Sequence, residues 1–361
     1  MGKELRLMKG NEAFAEAVIR AGADGYFGYP ITPQSEVMEY LMAEKPYERT
    51  GMVVLQAESE IASINMLYGG AACGKKVLTS SSSPGISLMQ EGISYLAGSE
   101  LPCIIMDAMR GGPGLGTIQP GQADYFQLTK GGGHGDYNLI VIAPASVQEM
   151  YDFADISFEL AFKYRTPVIV MTDGAIGQMM EKVYIGDQKP RLTEEEIREK
   201  YPWATLGKTP DRERNIITSL DLDPYRQERH NLKLQKKFKK IEENEVRYEE
   251  INCEDADFVI VAYGTSARIS QKAMDIGREK GLKIGLFRPI TLWPFPKKEI
   301  RKMSEKVKGI LTVEMSAGQM VEDVRLHSSE KTPVEHYGRM GGVIPTPNEI
   351  VEVIENTFVK G

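Results

Sequence analysis

The chain has 361 residues, 42% hydrophobic and 26% charged, a balance that excludes disorder and leaves room for two domains with cores of their own. Lysine and arginine number 44 against 51 aspartates and glutamates, a formal charge of −7, which argues against a surface that grips phosphate backbones and so against a nucleic-acid partner. No run of roughly eighteen apolar residues occurs and the opening MGKELRLMKG lacks the apolar stretch of a secretory signal, so the expected setting is the cytoplasm, with no membrane contact.

From the N-terminus to about residue 190, short apolar runs alternate with helical patterns, the rhythm of a parallel sheet covered by helices on both faces. Strands are predicted at 25–29, 52–56, 76–79, 102–107, 138–142 and 167–172, each short and mostly apolar, as strands buried on both faces should be. Asn11 is placed to cap a helix ending at Gly22, and Ser146 with Glu149 forms a capping box for the helix before Tyr164. The predicted fold is α/β, with a doubly wound domain over residues 1–190.

Residues 191–250 read as a charged connector, with 28 charges in 60 residues, 14 of each sign. Within it TEEEIREKY predicts a capped helix after Thr193, and LKLQKKFKKIEENEVRYEE a solvated amphipathic helix. Lys236–Lys240 could serve as a docking patch for an acidic partner such as ferredoxin, but glutamates follow at once, and a solvated face is the reading taken. A second, smaller α/β domain is expected over 251–361, with strands near 257–262, 283–287, 309–314 and 333–336. Its helices are expected from Thr265, Pro296 and Ala317, and its last helix opens on the box Thr346-Pro347-Asn348-Glu349.

Ligands of open α/β sheets bind beyond the strand C-termini, and four loops there are chemically unusual. Gly28-Tyr29-Pro30-Ile31-Thr32-Pro33 fixes the Thr32 hydroxyl between two prolines, or simply ends a strand. In Gln56-Ala57-Glu58-Ser59-Glu60 two carboxylates enter a helix with a small, apolar following face. Either stabilises the helix dipole, and a partly desolvated Glu60 could also bond a ligand nitrogen. Thr79–Gly85 is a hydroxyl-rich turn without the GxxxxGK[ST] of nucleotide hydrolysis. The stretch from Asp107 to Tyr137 is too long and glycine-rich for a mere connection, and Arg110, the lone arginine in its first half, could fork onto a carboxylate. Lys130, His134 and Asp136 are weaker candidates. Cys73, Cys103 and Cys253 form no CxxC pair and the four histidines no HExxH spacing, so this chain is not expected to hold a metal, and Cys73 and Cys103, in apolar runs, read as buried, inert thiols.

Several strings in order, GNEAFAEAVIRAG, YFGYPITPQSE, QAESEIASINMLYGGAACG, TSSSSPGISLMQEGISYLAGSELPC, MRGGPGLGTIQPGQADYFQ and KGGGHGDY, closely resemble the alpha subunit of 2-oxoacid:ferredoxin oxidoreductases. The resemblance spans both domains, and RGGPGLGTIQP and GGGHGDY are most similar to the 2-ketoisovalerate (3-methyl-2-oxobutanoate) branch. It implies a thiamine-diphosphate pyrimidine-binding domain followed by a transketolase C-terminal-like domain. The family's pyrimidine-activating glutamate falls on Glu60, with Glu58 the competing position; Pro30 falls at the cofactor, and Thr32 and Arg110 where relatives hold the substrate carboxylate. A carboxylate bonded to the aminopyrimidine promotes loss of the thiazolium C2 proton.

The family's GDG diphosphate element is missing here. The resemblance therefore implies a beta subunit that supplies the diphosphate and Mg2+ site with an iron–sulfur cluster, a delta chain with more clusters, a gamma chain, and a polypeptide inactive alone. The implied reaction takes a branched-chain 2-oxoacid, coenzyme A and oxidised ferredoxin to acyl-CoA, carbon dioxide and reduced ferredoxin. Pyruvate or 2-oxoglutarate is the alternative substrate, and a non-catalytic docking subunit the alternative of another class.

Overall fold

Runs such as Cys103–Met109 and Pro167–Asp173 are buried along their whole length, and in the computed structural model they form the middle of a parallel sheet, where both faces are covered. The structure describes residues 4–208, 210 and 213–360; Asp211 and Arg212, counted in the charged connector, lie outside the described residues. The strands in chain order are β1 (Glu4–Lys9), β2 (Gly25–Gly28), β3 (Val53–Gln56), β4 (Val77–Ser81), β5 (Cys103–Met109), β6 (Ile140–Ile142), β7 (Pro167–Asp173) and β8 (Met180–Ile185), followed by β9 (Tyr248–Ile251), β10 (Phe258–Val261), β11 (Ile284–Pro289), β12 (Thr291–Trp293), β13 (Gly309–Glu314) and β14 (Val334–Gly338).

The first sheet has the order β12-β6-β7-β5-β4-β2-β3, parallel except for the antiparallel edge strand β12. The second has the order β14-β13-β10-β11-β9, with β9 antiparallel at one edge, and β1 and β8 form a separate antiparallel ribbon. Sequence patterning finds the six parallel strands of the first sheet and the four of the second within a few residues. It misses β1, β8 and β9, on an edge or in the ribbon, where exposed positions dilute the apolar signal, and β12, a buried edge strand of only three residues.

Two expectations for the connector need correction. Its second helix runs from Pro224, capped by Asp223, to Asn244, and the last three residues of the expected amphipathic segment, 248–250, belong to strand β9. Nor is that helix merely solvated: Leu234, Phe238 and Ile241 are buried in the main core, and the Phe238 ring meets Trp293 of β12 edge-on at 6.0 Å. Lys237, in the basic run, turns inward to Glu100 at 3.2 Å and to the Arg165 carbonyl at 3.0 Å. Burial, only partly offset by Glu100, lowers its amine to about 8.

Candidate active site

From β2 the chain adds β3 on one side and then β4 on the other, so the order of strand addition reverses at β2. The crevice beyond the carboxyl ends of such strands is where open α/β sheets bind ligands. All four chemically unusual loops begin there, after β2, β3, β4 and β5.

The turn after β2 is fixed from below. The buried Gln34 accepts from Ser80 Oγ at 2.6 Å and donates to the Tyr29 carbonyl at 3.1 Å, while Asn11 and Gln178 both donate to the Pro33 carbonyl. The Thr32–Pro33 peptide is cis, and Pro30 and Thr32 are both exposed. After β3, Ser59 caps the helix Glu60–Ala72 through the Ala62 N–H, leaving Glu60 at its first position. Glu58 is exposed, whereas Glu60 is 93% buried, which separates the two carboxylates that the sequence left in competition.

No described residue hydrogen-bonds to the Glu60 carboxylate. Its side chain lies against Gly85, where a Cβ would stand 2.9 Å from both Cγ and Oε1 of Glu60 and 2.1 Å from Ser81 Oγ. A glycine is therefore required for Glu60 to sit where it does. The hydroxyls of Ser81 and Ser82 are buried without partners, and Ser83 opens the helix Ser83–Gly98. Costly unpaired groups of this kind, gathered at one crevice, suit a polar ligand.

Arg110 follows β5 and is 93% buried. Its guanidinium donates to the Thr32 carbonyl at 2.9 Å and to the Leu115 carbonyl at 2.8 Å, with Nε buried and unpartnered. The structure thus brings Arg110 and Thr32 together. The first turn of the helix Ser83–Gly98 touches both halves of the site, Glu60 through Gly85 and Arg110 through its N–H, which donates to Ser83 Oγ at 3.0 Å. Lys130, His134 and Asp136 are not part of this cluster: Lys130 pairs with Asp323, and His134 and Asp136 are exposed near the connector helix.

Sequence reasoning missed a pair of buried carboxyls beneath Arg110. Asp107 lies within β5, two residues before its end, and Asp124 stands just before the next helix without a side-chain capping bond, so neither spacing announces an acid pair. Ser83 Oγ donates to Asp124, and Gln127 also donates to it. Burial, then the neighbouring Asp124 charge, pushes Asp107 well above the ordinary carboxylate range, and burial raises Asp124 as well. Of the cysteines, Cys103 is fully buried, but Cys73 and Cys253 are only half-buried, which corrects the expectation for Cys73. Burial raises the Cys253 thiol to about 12, which keeps it protonated and inert at neutral pH.

The doubly wound sheet, with its crevice beyond β2 to β5, is the fold of a thiamine-diphosphate-binding domain. Residues 16–250 match the family model for the thiamine diphosphate-binding region of pyruvate flavodoxin/ferredoxin oxidoreductase, and residues 256–350 that for pyruvate:ferredoxin oxidoreductase core domain II. The chain is 49% identical to the ketoisovalerate oxidoreductase subunit VorB of Methanothermobacter marburgensis over 97% of each chain. It is 35% identical to the 2-oxoglutarate synthase subunit KorA of Methanocaldococcus jannaschii, over 97% of this chain and 99% of that one. A solved 2-oxoglutarate:ferredoxin oxidoreductase from Magnetococcus marinus superposes with a TM-score of 0.84 at 28% identity, covering 98% of this chain and 65% of that one. A split-gene transketolase, at TM-score 0.61 and 14% identity, shares the fold. The chain belongs to the 2-oxoacid:ferredoxin oxidoreductase family, as a subunit of such an enzyme.

Proposed function

We propose that this chain is the alpha subunit of an oxidoreductase that converts a branched-chain 2-oxoacid, coenzyme A and oxidised ferredoxin to acyl-CoA, carbon dioxide and reduced ferredoxin. The observation that carries the reading is Glu60: a nine-tenths-buried carboxylate, without a hydrogen bond among the described residues, at the head of a helix and seated against Gly85. A pyrimidine ring nitrogen satisfies that carboxylate, so the residues present fit the coenzyme's aminopyrimidine, and Pro30 lines the same crevice. When bound, thiamine diphosphate supplies the electron sink for decarboxylation next to the carbonyl. Glu60 holds a proton between its carboxylate and the ring nitrogen, and burial in a low-dielectric pocket strengthens that bond.

Thr32 and Arg110 take the oxoacid carboxylate. The guanidinium is already anchored by two carbonyls, so it is oriented before substrate arrives. The segment Gly114–Ile118 carries Leu115 and Ile118, both exposed, and no cation, which favours an apolar oxoacid side chain over a second carboxylate. The ketoisovalerate name of the 49%-identical relative supports the same choice.

The coenzyme's diphosphate and Mg2+ are assigned to a beta subunit, and the iron–sulfur clusters to the beta and delta subunits, with a gamma subunit completing a cytoplasmic complex that this chain cannot replace alone. One feature supports a partner at this crevice: apolar side chains are exposed around Glu60, namely Val53 and Leu55 on edge strand β3 and Ile61, Met66 and Leu88 on the two helices that follow.

The test is Glu60→Gln in the reconstituted complex, which keeps shape and removes charge. The expected result is intact assembly with coenzyme C2-proton exchange slowed by roughly 10²- to 10⁴-fold. Exchange at the wild-type rate refutes the assignment.

A further inference from the structure

The loop that carries Arg110 is closed at its neck. Arg110 pairs with Pro120, the Gly111 N–H donates to the Gln119 carbonyl at 2.9 Å, and the Gly121 N–H reaches the Met109 carbonyl at 3.4 Å. Gln122 follows the neck at once and is fully buried. Each of its five hydrogen bonds goes to the second domain. Its N–H donates to the Met315 carbonyl at 2.8 Å, and its Nε2 donates to the Tyr263 carbonyl at 2.9 Å. Its Oε1 accepts from Ser266 Oγ at 2.6 Å and from the Met315 N–H at 2.9 Å, while its own carbonyl accepts from the Tyr263 hydroxyl at 3.3 Å. Gly264, at φ 56°, permits this approach, since a Cβ there would stand 3.0 Å from Gln122 Nε2.

The grip continues beyond Gln122. Gln319 donates to the Ala123 carbonyl and accepts from the Phe126 N–H, both at 2.8 Å, and Asp323 accepts from the Tyr125 hydroxyl at 2.6 Å. These groups stand on a turn and helix organised by the fully buried Glu314, whose carboxylate accepts the N–H groups of Gln319, Met320 and Val321. The turn at Gly341–Gly342 also packs on the loop, with Gly342 so close that a Cβ would lie 2.4 Å from that of Gln119. By contrast, Leu115 and Ile118 at the loop's far end are exposed. The loop is thus fixed at its base from two sides, by the second domain through Gln122 and the residues after it, and by the first domain through Ser83 and the Thr32 carbonyl on the Arg110 side.

We propose that Gln122 is a positioning residue for oxoacid binding: by fastening the base of the Arg110 loop to the second domain, it sets the placement of the guanidinium that receives the substrate carboxylate. The proposal rests on the reading of Arg110 as that carboxylate's partner. It gives the second domain a part in substrate binding although none of its residues need touch substrate. An amide is needed at position 122 because the site demands a donor on one side, toward the Tyr263 carbonyl, and an acceptor on the other, toward Ser266 and Met315. A methionine fills the space and serves neither.

The experiment is steady-state kinetics on the reconstituted complex with oxoacid and coenzyme A varied separately. Gln122→Met is expected to raise KM for the oxoacid roughly tenfold and Ser266→Ala, which removes one bond, about threefold, with kcat and KM for coenzyme A changed less than about twofold. Arg268→Met is the control: it breaks contacts of the helix Gly264–Glu279, which also carries Ser266, to the Ala145 carbonyl and Glu181 without touching the loop, and should leave the oxoacid KM unchanged. If Gln122→Met does not assemble, Ser266→Ala carries the test alone. An equal rise in Arg268→Met, or a parallel rise in both KM values, assigns the effect to general loosening and overturns the proposal. If Arg110→Ala raises the oxoacid KM while the Gln122 and Ser266 variants do not, this proposal alone falls. If Arg110→Ala leaves that KM unchanged, the carboxylate reading falls and takes this proposal with it.

Discussion

Gly85→Ala tests the seating of Glu60 with a single methyl group. That carbon would lie 2.1 Å from Ser81 Oγ and 2.9 Å from Cγ and Oε1 of Glu60, whereas packed carbons rest about 3.5–4.0 Å from their neighbours. The Ser81 hydroxyl must swing aside, which is cheap because it has no hydrogen bond to lose. Glu60 can turn its carboxylate, but Cγ retreats only if the whole side chain shifts by roughly 0.6 Å or more. Overpacking of this order costs about 1–3 kcal/mol, offset by up to about 1 kcal/mol for replacing a helical glycine with alanine. The fold should therefore survive with a modest loss. Misplacing a catalytic group by about 1 Å costs on the order of 10²-fold, so C2-proton exchange of the coenzyme in the reconstituted complex should fall by roughly ten- to a hundredfold. The double variant Ser81→Ala/Gly85→Ala removes the cheap hydroxyl clash and leaves the one with Glu60, so it should match Gly85→Ala closely in both thermal stability and exchange. Wild-type exchange in an assembled Gly85→Ala complex would show that Glu60 does not act from this position.

Three further outcomes follow from the same geometry. Between the ordinary carboxylate pKa and its raised folded value, Asp107 keeps a proton that the unfolded chain has released, so it makes stability fall with rising pH by about 1.4 kcal/mol per unit. Asp107→Asn stays neutral throughout, and urea unfolding at a series of pH values should show the variant gaining on the wild type as pH rises; a constant difference would contradict the shared burial of the two acids. Phe238→Ala should cost about 3–5 kcal/mol, because the ring is buried against Trp293, and a loss below about 1 kcal/mol would return the connector helix to the role of a solvated spacer. In a substrate panel, kcat/KM for 2-oxoisovalerate should exceed that for 2-oxoglutarate by at least tenfold, and the reverse order would reject an apolar substrate pocket around Leu115 and Ile118.

Much of this was legible in the chain itself. The strands with both faces covered announce themselves as short apolar runs, and the capping boxes at Thr193 and Thr346 appear as the sequence indicates. The order of the loops after β2, β3, β4 and β5 is enough to gather Thr32, Glu60, the serine turn and Arg110 at one edge of the sheet. What stayed hidden depends on long-range pairing. Strand β12 has three residues and no alternation to detect, and its partner lies some 150 residues earlier. Gln122 looks like any loop glutamine until Tyr263, Ser266 and Met315 surround it. Asp107 resembles the last residue of an apolar strand, and only folding brings Asp124 beside it. The charged composition of residues 191–250 also conceals three apolar side chains, Leu234, Phe238 and Ile241, on one helical face.

The pairing of Thr291–Trp293 with Ile140–Ile142 bears on how this polypeptide can be dissected. A truncation near residue 250 would strip the last strand from the first sheet, bare a row of backbone donors and acceptors beside β6, and uncover the ring of Phe238. Such a fragment invites edge-to-edge self-association, so an expression boundary drawn from sequence composition alone would yield aggregates rather than an independent coenzyme-binding module.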